Sequence, residues 1–487
     1  MKLRFYQVDA LDQIRSHYRA GTKKVLLHLA TGSGKTVIYC QILKSAYERR
    51  KRALMVVRGK HLVDQTSFRL ESEGVPHGVL QANHWRRMPD EPIQICSIDT
   101  LYRRRMTPDA ELIVIDEAHL ATSEGYRWFV NAYPEAFFLP VSATPHSKRG
   151  FRHIADEVVH PISMKDLILH GFLVSPIYYV PSKPDLAAVE IDKKTHDYKQ
   201  DQLEKVMKST VIYGHIINSW KRLGENRSTL CFAVSIEHSK ELCESFNKAG
   251  IPAEHIEADT PLAERHELIK NLETGKLKVL CNVGTLTTGV DIPSLGCIVL
   301  ARPTKSYNLY IQMLGRGTRI CEGKENFIVL DHASNLIEHG FIEEERKCYL
   351  DGSPSKPQEN SVIHCSRCWH AWNPIEQFRQ LNPALEKIGR DYICRAMFNG
   401  ELCLNDMTPA KVPITFERVV HEIKQAEMIQ IKDDLEIKKM QARSYAERKA
   451  EIARRKGYKA GWVYYQLRDK YGDEIAEGIW KSIRHTI

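Results

Sequence analysis

Short apolar runs recur along the first 350 residues and alternate with longer stretches whose apolar positions follow a helical period. Strand-length runs separated by helical patterns are typical of βαβ units, which build parallel sheets. The predicted strands form two sets: 25–29, 53–57, 93–96, 112–115 and 137–141, then 229–233, 253–256, 278–281, 297–300 and 327–330. Two sets in tandem predict an α/β protein with two doubly wound domains, at 1–162 and 163–350.

The pattern changes at two polar, proline-containing breaks. The first, near 182–205, indicates a connection or an insertion, and the second, near 351–357, ends the second domain. Beyond it we expect a cysteine-bearing segment at 355–410 and a long, charge-rich helix at 411–455 that serves as a solvated spacer. The last segment, 456–487, interleaves basic and aromatic residues, so it either stacks on bases, docks a partner or forms a small helical core.

Composition narrows the class of protein only a little. Hydrophobic residues make up 43% of the chain and charged residues 27%, as in globular proteins, and the formal net charge is +9. A basic balance suits a polyanionic partner without requiring one. No run of about 18 apolar residues is present, and the first residues lack a signal-peptide core, so we expect a cytosolic protein without a membrane span.

Candidate chemistry begins directly after the first predicted strand. Residues 30–36 have the sequence Ala-Thr-Gly-Ser-Gly-Lys-Thr and lead into a helical pattern, which is the context of a P-loop. Lys35 would reach the β- and γ-phosphates of a nucleotide, and the Thr36 hydroxyl would hold Mg²⁺. Leu29 stands where the strict pattern has its first glycine. The phosphate cradle would be formed by Thr31, Gly32, Ser33 and Gly34.

A pair of carboxylates follows the predicted strand 112–115, in the sequence Asp116-Glu117-Ala118-His119. A carboxylate at the carboxyl end of a parallel strand faces the crevice where ligands bind. We expect Asp116 to bind Mg²⁺ through water and Glu117 to orient and polarise the water that attacks the nucleotide.

Together, the P-loop and the Asp-Glu-Ala-His sequence resemble those of superfamily 2 helicases of the Asp-Glu-x-His type, over roughly residues 1–350. That resemblance implies two RecA-like domains with one ATP site between them. It also implies that Arg4 and Gln7 belong to an adenine-reading element, in which Gln7 hydrogen-bonds the adenine edge and Tyr6 or Phe5 packs near the ring. Residues 142–144, Ser-Ala-Thr, resemble the motif that couples the nucleotide state to domain movement.

The second domain carries the matching half of the family pattern. Residues 312–319 fit the family's Gln-x-x-Gly-Arg-x-x-Arg motif, and a helical spacing would place Arg316 and Arg319 on one face as arginine fingers. Residues 285–293 resemble the motif that senses both nucleotide and nucleic acid. By that resemblance Gly289 and Asp291 lie at the nucleotide, with Asp291 contacting ribose or a finger arginine.

Several segments resemble the motifs with which superfamily 2 helicases contact a nucleic-acid backbone. Residues 57–65 and 97–101 resemble two such motifs in the first domain, and basic clusters at 49–52 and 103–105 flank them. Because phosphate contacts carry no sequence information, binding should be largely independent of sequence. The candidate track residues are Arg58, Lys60, Gln65, Thr100, Thr285 and Thr287.

Four of the twelve cysteines fall in the segment 355–410, as Cys365, Cys368, Cys394 and Cys403. Four thiolates in one short segment of a cytosolic protein suggest structural Zn²⁺. Their irregular spacing keeps buried free thiols as an alternative, and His364 or His370 could replace one cysteine.

The order of the motifs, followed by a cysteine-rich segment, is most similar to the bacterial RadD family of DNA-repair ATPases and to related phage helicases. The resemblance implies a monomeric motor that uses ATP and Mg²⁺ on DNA in repair, recombination or phage replication, in the cytoplasm of a bacterial or phage-infected cell. Two alternatives stay open: an RNA helicase, and an ATP-switched DNA-binding clamp or recruitment module that works without strand separation through its C-terminal module.

Overall fold

A computed structural model describes most of the chain from residue 3 to residue 403 and short parts of the rest. The residues it does not describe are 1–2, 122, 148, 182–183, 193–194, 209, 287–290, 345–347, 353–361, 365–367, 373–384, 389–390, 395–396, 399–400, 404–445, 447–460, 472–475, 478 and 481–487. The chain divides into two compact units, Met1–Pro409 and Ala410–Ile487.

The first half of the larger unit is a seven-stranded, fully parallel sheet with helices between its strands. The strand order is β3-β4-β2-β5-β6-β1-β7. The strands are β1 (Val25–His28), β2 (Ala53–Val57), β3 (Gly78–Leu80), β4 (Ile93–Ser97), β5 (Leu112–Ile115), β6 (Phe137–Ser142) and β7 (Glu157–Val159). The helices are α1 (Phe5–Arg19), α2 (Lys35–Glu48), α3 (Lys60–Ser72), α4 (Ile98–Arg104) and α5 (Glu124–Asn131).

The second half contains an eight-stranded sheet of order β10-β11-β9-β12-β13-β8-β15-β14, whose last two strands are antiparallel. Its strands are β8 (Ser175–Tyr179), β9 (Thr229–Phe232), β10 (Ala253–Ile256), β11 (Val279–Asn282), β12 (Cys297–Leu300), β13 (Asn326–Asp331), β14 (Ile363–His364) and β15 (His370–Trp372). Its helices are α6 (Met164–Leu169), α7 (Gln200–Met207), α8 (Thr210–Leu223), α9 (Ile236–Lys248), α10 (Leu262–Glu273), α11 (Tyr307–Leu314) and α12 (Asn335–His339). The predicted fold class, two tandem parallel-sheet α/β domains, is confirmed.

The central strands are buried and mostly apolar, as is typical of parallel sheets that helices cover on both faces. All residues of β1, β2, β9 and β12 are buried. Within residues 1–350, the three strands that the sequence pattern did not predict are β3, β7 and β8. The first two have three residues each and lie at the edges of the first sheet, and β8 carries a proline and a partly exposed face. Short edge strands leave too few apolar positions for a recognisable alternation.

The cysteine-bearing segment does not stand apart from the second domain. Its hairpin β14–β15 adds to the second sheet, where His370 and Ala371 of β15 pair with Tyr179 and Tyr178 of β8. Two further hairpins follow, formed by β16 (Leu385–Ile388) with β17 (Asp391–Cys394) and by β18 (Met397–Phe398) with β19 (Glu401–Leu402). The boundary that we placed at 350 therefore separates strands of one sheet.

In the smaller unit, helix α13 (Gly461–Tyr471) buries Val463 and Leu467, and Tyr464 contacts Tyr465 and Trp480. The predicted long helix at 411–455 lies outside the described residues, apart from residue 446. Among the residues with described structure, no helix is both long and apolar enough to cross a membrane.

A buried acid connects β8 to the segment after α12. The Tyr178 hydroxyl donates to Glu343 Oε2 at 2.9 Å and accepts from the backbone N–H of Ile342 at 3.1 Å. Burial raises the pKa of Glu343 from 4.5 to about 7, since the interior disfavours the charged form. Between about pH 4.5 and 7, the folded protein therefore keeps a proton on Glu343 that the unfolded chain has released.

We expect Glu343→Gln to remove part of the pH dependence of stability. The proton on folded Glu343 stabilises the native state, and this contribution is fully present below pH 4.5. It is lost as the pH rises through about 7, which lowers the free energy of unfolding by on the order of 3 kcal/mol at most. The variant should match the wild type near pH 5 and unfold at a higher temperature at pH 8. Thermal unfolding from pH 5 to 8 measures this, with the exposed Glu322→Gln as control. Parallel curves for Glu343→Gln and wild type would contradict the assignment.

Candidate nucleotide-binding site

The P-loop connects β1 to α2 at the carboxyl edge of the first sheet. Gly34 is the N-cap of α2 and has a φ of 86°, a conformation that a side chain would strain. The Lys35 Nζ donates to the backbone oxygens of Leu29 and Ala30, at 3.1 and 3.2 Å. Leu29 is fully buried and is not among the residues with positive φ, so this position does not require the glycine of the strict pattern. Thr36 follows in the first turn of α2.

The start of α1 supports the P-loop from behind. The Tyr6 hydroxyl donates to the Ser33 carbonyl at 2.6 Å, and Gln7 Nε2 donates to the same oxygen at 3.3 Å. Gln7 Oε1 accepts from the Arg4 backbone N–H at 2.9 Å. Both polar atoms of Gln7 therefore have partners within the protein, and its contact with adenine stays a prediction.

The aromatic residue for the adenine ring was predicted as Tyr6 or Phe5, and this contact stays a prediction. Tyr6 is fully buried, whereas Phe5 is 56% exposed. The Phe5 ring lies 5.9 Å from that of Phe172, and the Arg4 guanidinium lies 4.7 Å from the Phe172 ring centre. The sequence pattern did not single out Phe172. In the sequence, Phe172 is only one apolar residue in the short stretch between α6 and β8.

The acidic residues lie where β5 ends. The Glu117 backbone N–H donates to Asp116 Oδ1 at 2.8 Å, and Glu117 itself has a φ of 48°. Burial raises the pKa of Asp116, and the neighbouring charge of Glu117 raises it further. Burial lowers the pKa of Lys35, while Glu117 and Asp116 oppose that shift. These effects place the two carboxylates and the lysine within electrostatic range of one another.

The predicted finger arginines are not on a helix. Helix α11 ends at Leu314, and hydrogen-bonded turns continue through Gly317. Arg316 is nevertheless buried at the site, where burial lowers its pKa to about 10 and the charge of Glu117 raises it. Arg319 forms an ion pair with Asp291, one of the two contacts that the resemblance implies for this aspartate. Gly289, the other predicted residue of that motif, lies outside the described residues.

The two halves of the site are in contact at the P-loop. A Cβ atom on Gly32 would lie 3.1 Å from Leu173 Cδ2 and 3.4 Å from Thr318 Oγ1. A Cβ atom on Gly315 would lie 2.6 Å from Thr31 Cβ, closer than van der Waals contact allows. Glycine is therefore required at 315 for the second domain to approach the P-loop this closely.

His119 links Glu117 to both Ser142 and the second domain. Its Nε2 lies 3.1 Å from Gln312 Nε2, and its Nδ1 lies 3.2 Å from Ser142 Oγ and 3.3 Å from Glu117 Oε2. An amide nitrogen only donates, so His119 Nε2 accepts and Nδ1 carries the proton. Burial lowers the pKa of His119, in agreement with this neutral form. Sequence reasoning assigned no role to His119 or to Gln312, because their contact joins residues 193 apart in the chain.

The sequence pattern also assigned no role to Asp197, which lies in the predicted insertion. Its Oδ2 accepts from the Thr304 hydroxyl and its Oδ1 from the Lys305 backbone N–H, both at 2.6 Å. Ser306 then caps α11, the helix that carries Gln312. The insertion thus holds the loop that starts α11, and no local pattern in the sequence signals this contact.

The predicted track residues follow strands at the carboxyl edges of the two sheets. Arg58 and Lys60 are exposed after β2, Gln65 is half-buried on α3, and Thr100 is half-buried on α4 after β4. Thr285 follows β11, and its hydroxyl donates to the Val283 carbonyl at 3.4 Å. Thr287 lies outside the described residues.

Three of the four predicted zinc ligands lie together. Cys368, Cys394 and Cys403 are buried, and their sulfur atoms are all within 4.8 Å of one another. Cys365 lies outside the described residues. His370, the alternative ligand, packs edge-on against Tyr179 with ring centres 5.2 Å apart and is not in the sulfur cluster. Three converging thiols suit a tetrahedral thiolate site.

Comparison with known proteins agrees with this architecture. Residues 1–147 match the family described as type III restriction enzyme, res subunit, and residues 199–321 match the helicase conserved C-terminal domain. A 51.5 kDa protein of a Lactococcus phage is 28% identical over 69% of this chain and 72% of its own length. A Saccharomyces cerevisiae protein assigned as the ATP-dependent helicase IRC3 is 30% identical over 68% of this chain. The match covers only 51% of the length of that relative.

Solved structures share the fold. A fragment of a type I restriction enzyme HsdR subunit from Vibrio vulnificus YJ016 superposes with a TM-score of 0.54 at 21% identity, over 72% of this chain and 67% of the other. Together, the fold and the two family matches confirm the resemblance to ATP-dependent helicases of superfamily 2, with two RecA-like domains.

We expect His119→Ala and Gln312→Ala each to lower the kcat of nucleic-acid-stimulated ATP hydrolysis by roughly 3- to 30-fold, with a smaller change in KM for ATP. The physical reason is that each substitution breaks the same connection between Glu117 and the second domain. The kcat of the double variant should then be no lower than that of the less active single variant. Steady-state kinetics measures this, with the exposed His266→Ala as control. Multiplicative losses in the double variant would mean that the two residues act separately.

Proposed function

We propose that this protein is a DNA-dependent ATPase that moves along DNA by closing and reopening its two domains around ATP. The observation that carries the proposal is the close approach of Gly315 to Thr31, which brings Arg316 of the second domain within electrostatic range of Lys35 and Glu117 of the first. A guanidinium beside the P-loop can stabilise the charge that develops on a transferring phosphoryl group. Asp116 and Thr36 would hold Mg²⁺, and Glu117 would orient the attacking water.

The choice of DNA rests on the relatives. One solved neighbour is an ATP-dependent restriction-modification enzyme bound to DNA, and several relatives are restriction-enzyme subunits. We therefore place the action of this protein in DNA repair, recombination or phage replication, in the cytoplasm of a bacterial or phage-infected cell, as a monomer. The phage relative favours that setting. Contacts with the backbone through Arg58, Lys60, Gln65, Thr100, Thr285 and Thr287 would make binding independent of sequence.

Lys35→Ala and Glu117→Gln should each reduce ATP hydrolysis by at least about 100-fold, because each removes a group that acts on the reacting phosphate or water. Glu117→Gln should retain ATP binding, since it leaves the P-loop intact. Matched controls are Lys44→Ala, an exposed lysine on α2, and Glu124→Gln, an exposed glutamate on α5. Near wild-type hydrolysis in either site variant would refute the assignment of the site.

The same assay identifies the track. Hydrolysis is measured with single-stranded DNA, double-stranded DNA and RNA of equal length, together with strand displacement. Stimulation by DNA above RNA supports the proposal, whereas stronger stimulation by RNA favours the RNA helicase. Slow hydrolysis with DNA binding but neither translocation nor strand displacement would favour the ATP-switched clamp.

For the cysteine cluster we propose structural Zn²⁺ held by Cys365, Cys368, Cys394 and Cys403. The three described thiols come from separate hairpins, one of which contains the strand that pairs with β8. A metal bound there would fix these hairpins against the second sheet. The support is the convergence of buried thiols that form no disulfide among the cysteines with described positions.

The purified protein should contain about one equivalent of zinc, and Cys368→Ser or Cys403→Ser should lower both the zinc content and the unfolding temperature. The physical reason is that thiolate binding to the metal stabilises only the folded arrangement. Elemental analysis of protein never exposed to chelator measures this, with the exposed Cys321→Ser as control. Zinc well below one equivalent would leave buried free thiols as the correct interpretation.

A further inference from the structure

An exposed aromatic residue lies beside the candidate track in the first domain. Trp85 is 69% exposed, the largest exposed fraction among the large hydrophobic side chains with described positions. It sits in the segment 81–88, between β3 and β4, and the sequence analysis gave it no role. The ring stacks on that of His84, with ring centres 5.5 Å apart, and most of its apolar surface stays open to a partner.

The segment that carries Trp85 is held in place by α3. His84 Nε2 lies 3.0 Å from Asp64 Oδ1, and Arg86 forms an ion pair with Glu71 at 2.6 Å, both carboxylates being on α3. The Arg86 carbonyl also accepts from the Val79 backbone N–H at 2.9 Å. Trp85 is thus flanked by two anchored residues, so that ordering the segment adds little to the cost of binding.

The position in the sheet places Trp85 at the end of a row of candidate track contacts. Strands β3, β4 and β2 are neighbours and parallel, so their carboxyl ends share one edge. Arg58 and Lys60 follow β2, Thr100 follows β4, and the segment with Trp85 follows β3. Helix α3 begins at Lys60 and carries both Gln65 and Asp64, so the helix of the track also holds the indole segment.

The surroundings of the indole are cationic. The Arg86 guanidinium lies 4.6 Å from the Trp85 ring centre, and the exposed Arg87 follows in sequence. An apolar protein partner would not favour this charge. A nucleic-acid strand offers a phosphate to Arg87, because Arg86 is paired with Glu71, and a flat base to the ring. Stacking of a base on an aromatic side chain contributes about 1–3 kcal/mol and does not depend on the identity of the base.

We propose that Trp85 is a stacking platform for an unpaired base of the DNA strand that crosses the β2–β4–β3 edge, with Arg87 contacting a phosphate of that strand. The inference rests on the proposed function, because it requires a DNA track at this edge. A base inside a duplex has no free face, so the platform selects single-stranded DNA or a duplex end. It therefore adds a preference for unpaired DNA to a track whose other contacts are with the backbone.

Equilibrium binding of the full chain to a single-stranded oligothymidylate and to an abasic oligomer of the same length separates stacking from charge. Trp85→Ala should weaken binding to the oligothymidylate by roughly 5- to 150-fold and leave binding to the abasic oligomer unchanged. Trp85→Phe should restore most of the affinity. The salt dependence of binding should be unchanged in Trp85→Ala, whereas Arg87→Ala should reduce its slope by about 1 on either oligomer.

ATP hydrolysis without DNA should be the same in Trp85→Ala as in the wild type, since the indole lies outside the ATP site. The exposed Leu262→Ala, on α10 of the second domain, controls for loss of surface hydrophobic area. Unchanged oligothymidylate binding in Trp85→Ala, with a loss in the Arg58→Ala/Lys60→Ala double variant, would overturn the platform and leave the track standing. An equal loss on both oligomers would also overturn it, and a wild type that binds neither would overturn the proposed function itself.

Discussion

The turn that begins at Gly315 packs directly on the P-loop, and the ATP site depends on this contact. Gly315 lies so close to Thr31 that a Cβ atom has no room, and Thr318 and Leu173 lie against Gly32. This approach brings Arg316 within electrostatic range of Glu117. Neither domain contains both the phosphate cradle and the arginines, so the site exists only while the two turns are in contact. Opening the domains would separate the two halves of the site. The nucleotide state and the movement of the domains are coupled through this contact.

His119 connects Glu117 to the second domain while the two domains are in contact. It is a neutral histidine with one nitrogen facing the second domain at Gln312 and the other facing Glu117 and Ser142. Separation of the domains would remove the Gln312 partner and free the ring to turn. Asp197 holds the loop that starts α11, so the position of Gln312 depends on a segment that the sequence pattern predicts as an insertion.

The same geometric rule places the ATP site and the proposed track. In a parallel sheet, all strands end at one edge, so residues that follow different strands become neighbours. The P-loop follows β1 and the acidic pair follows β5, whereas Arg58, Thr100 and the Trp85 segment follow β2, β4 and β3. Nucleotide and track therefore use different parts of one edge. At the far side of the second sheet, the hairpin β14–β15 extends the strand order and places buried cysteines beside β8.

The sequence by itself determined the features that depend on local geometry. Strands such as 53–57 and 297–300 were predicted to the residue, because each is a continuous apolar run, and Lys35 and Asp116 were located because a motif follows its strand directly. The tertiary structure decided the rest. Gly315 ends α11 before the arginines, Tyr6 is buried under the P-loop, and Gln312 meets His119 across 193 residues. Such contacts arise from packing between distant segments, and the local order of residues does not encode which distant side chain will fill the space.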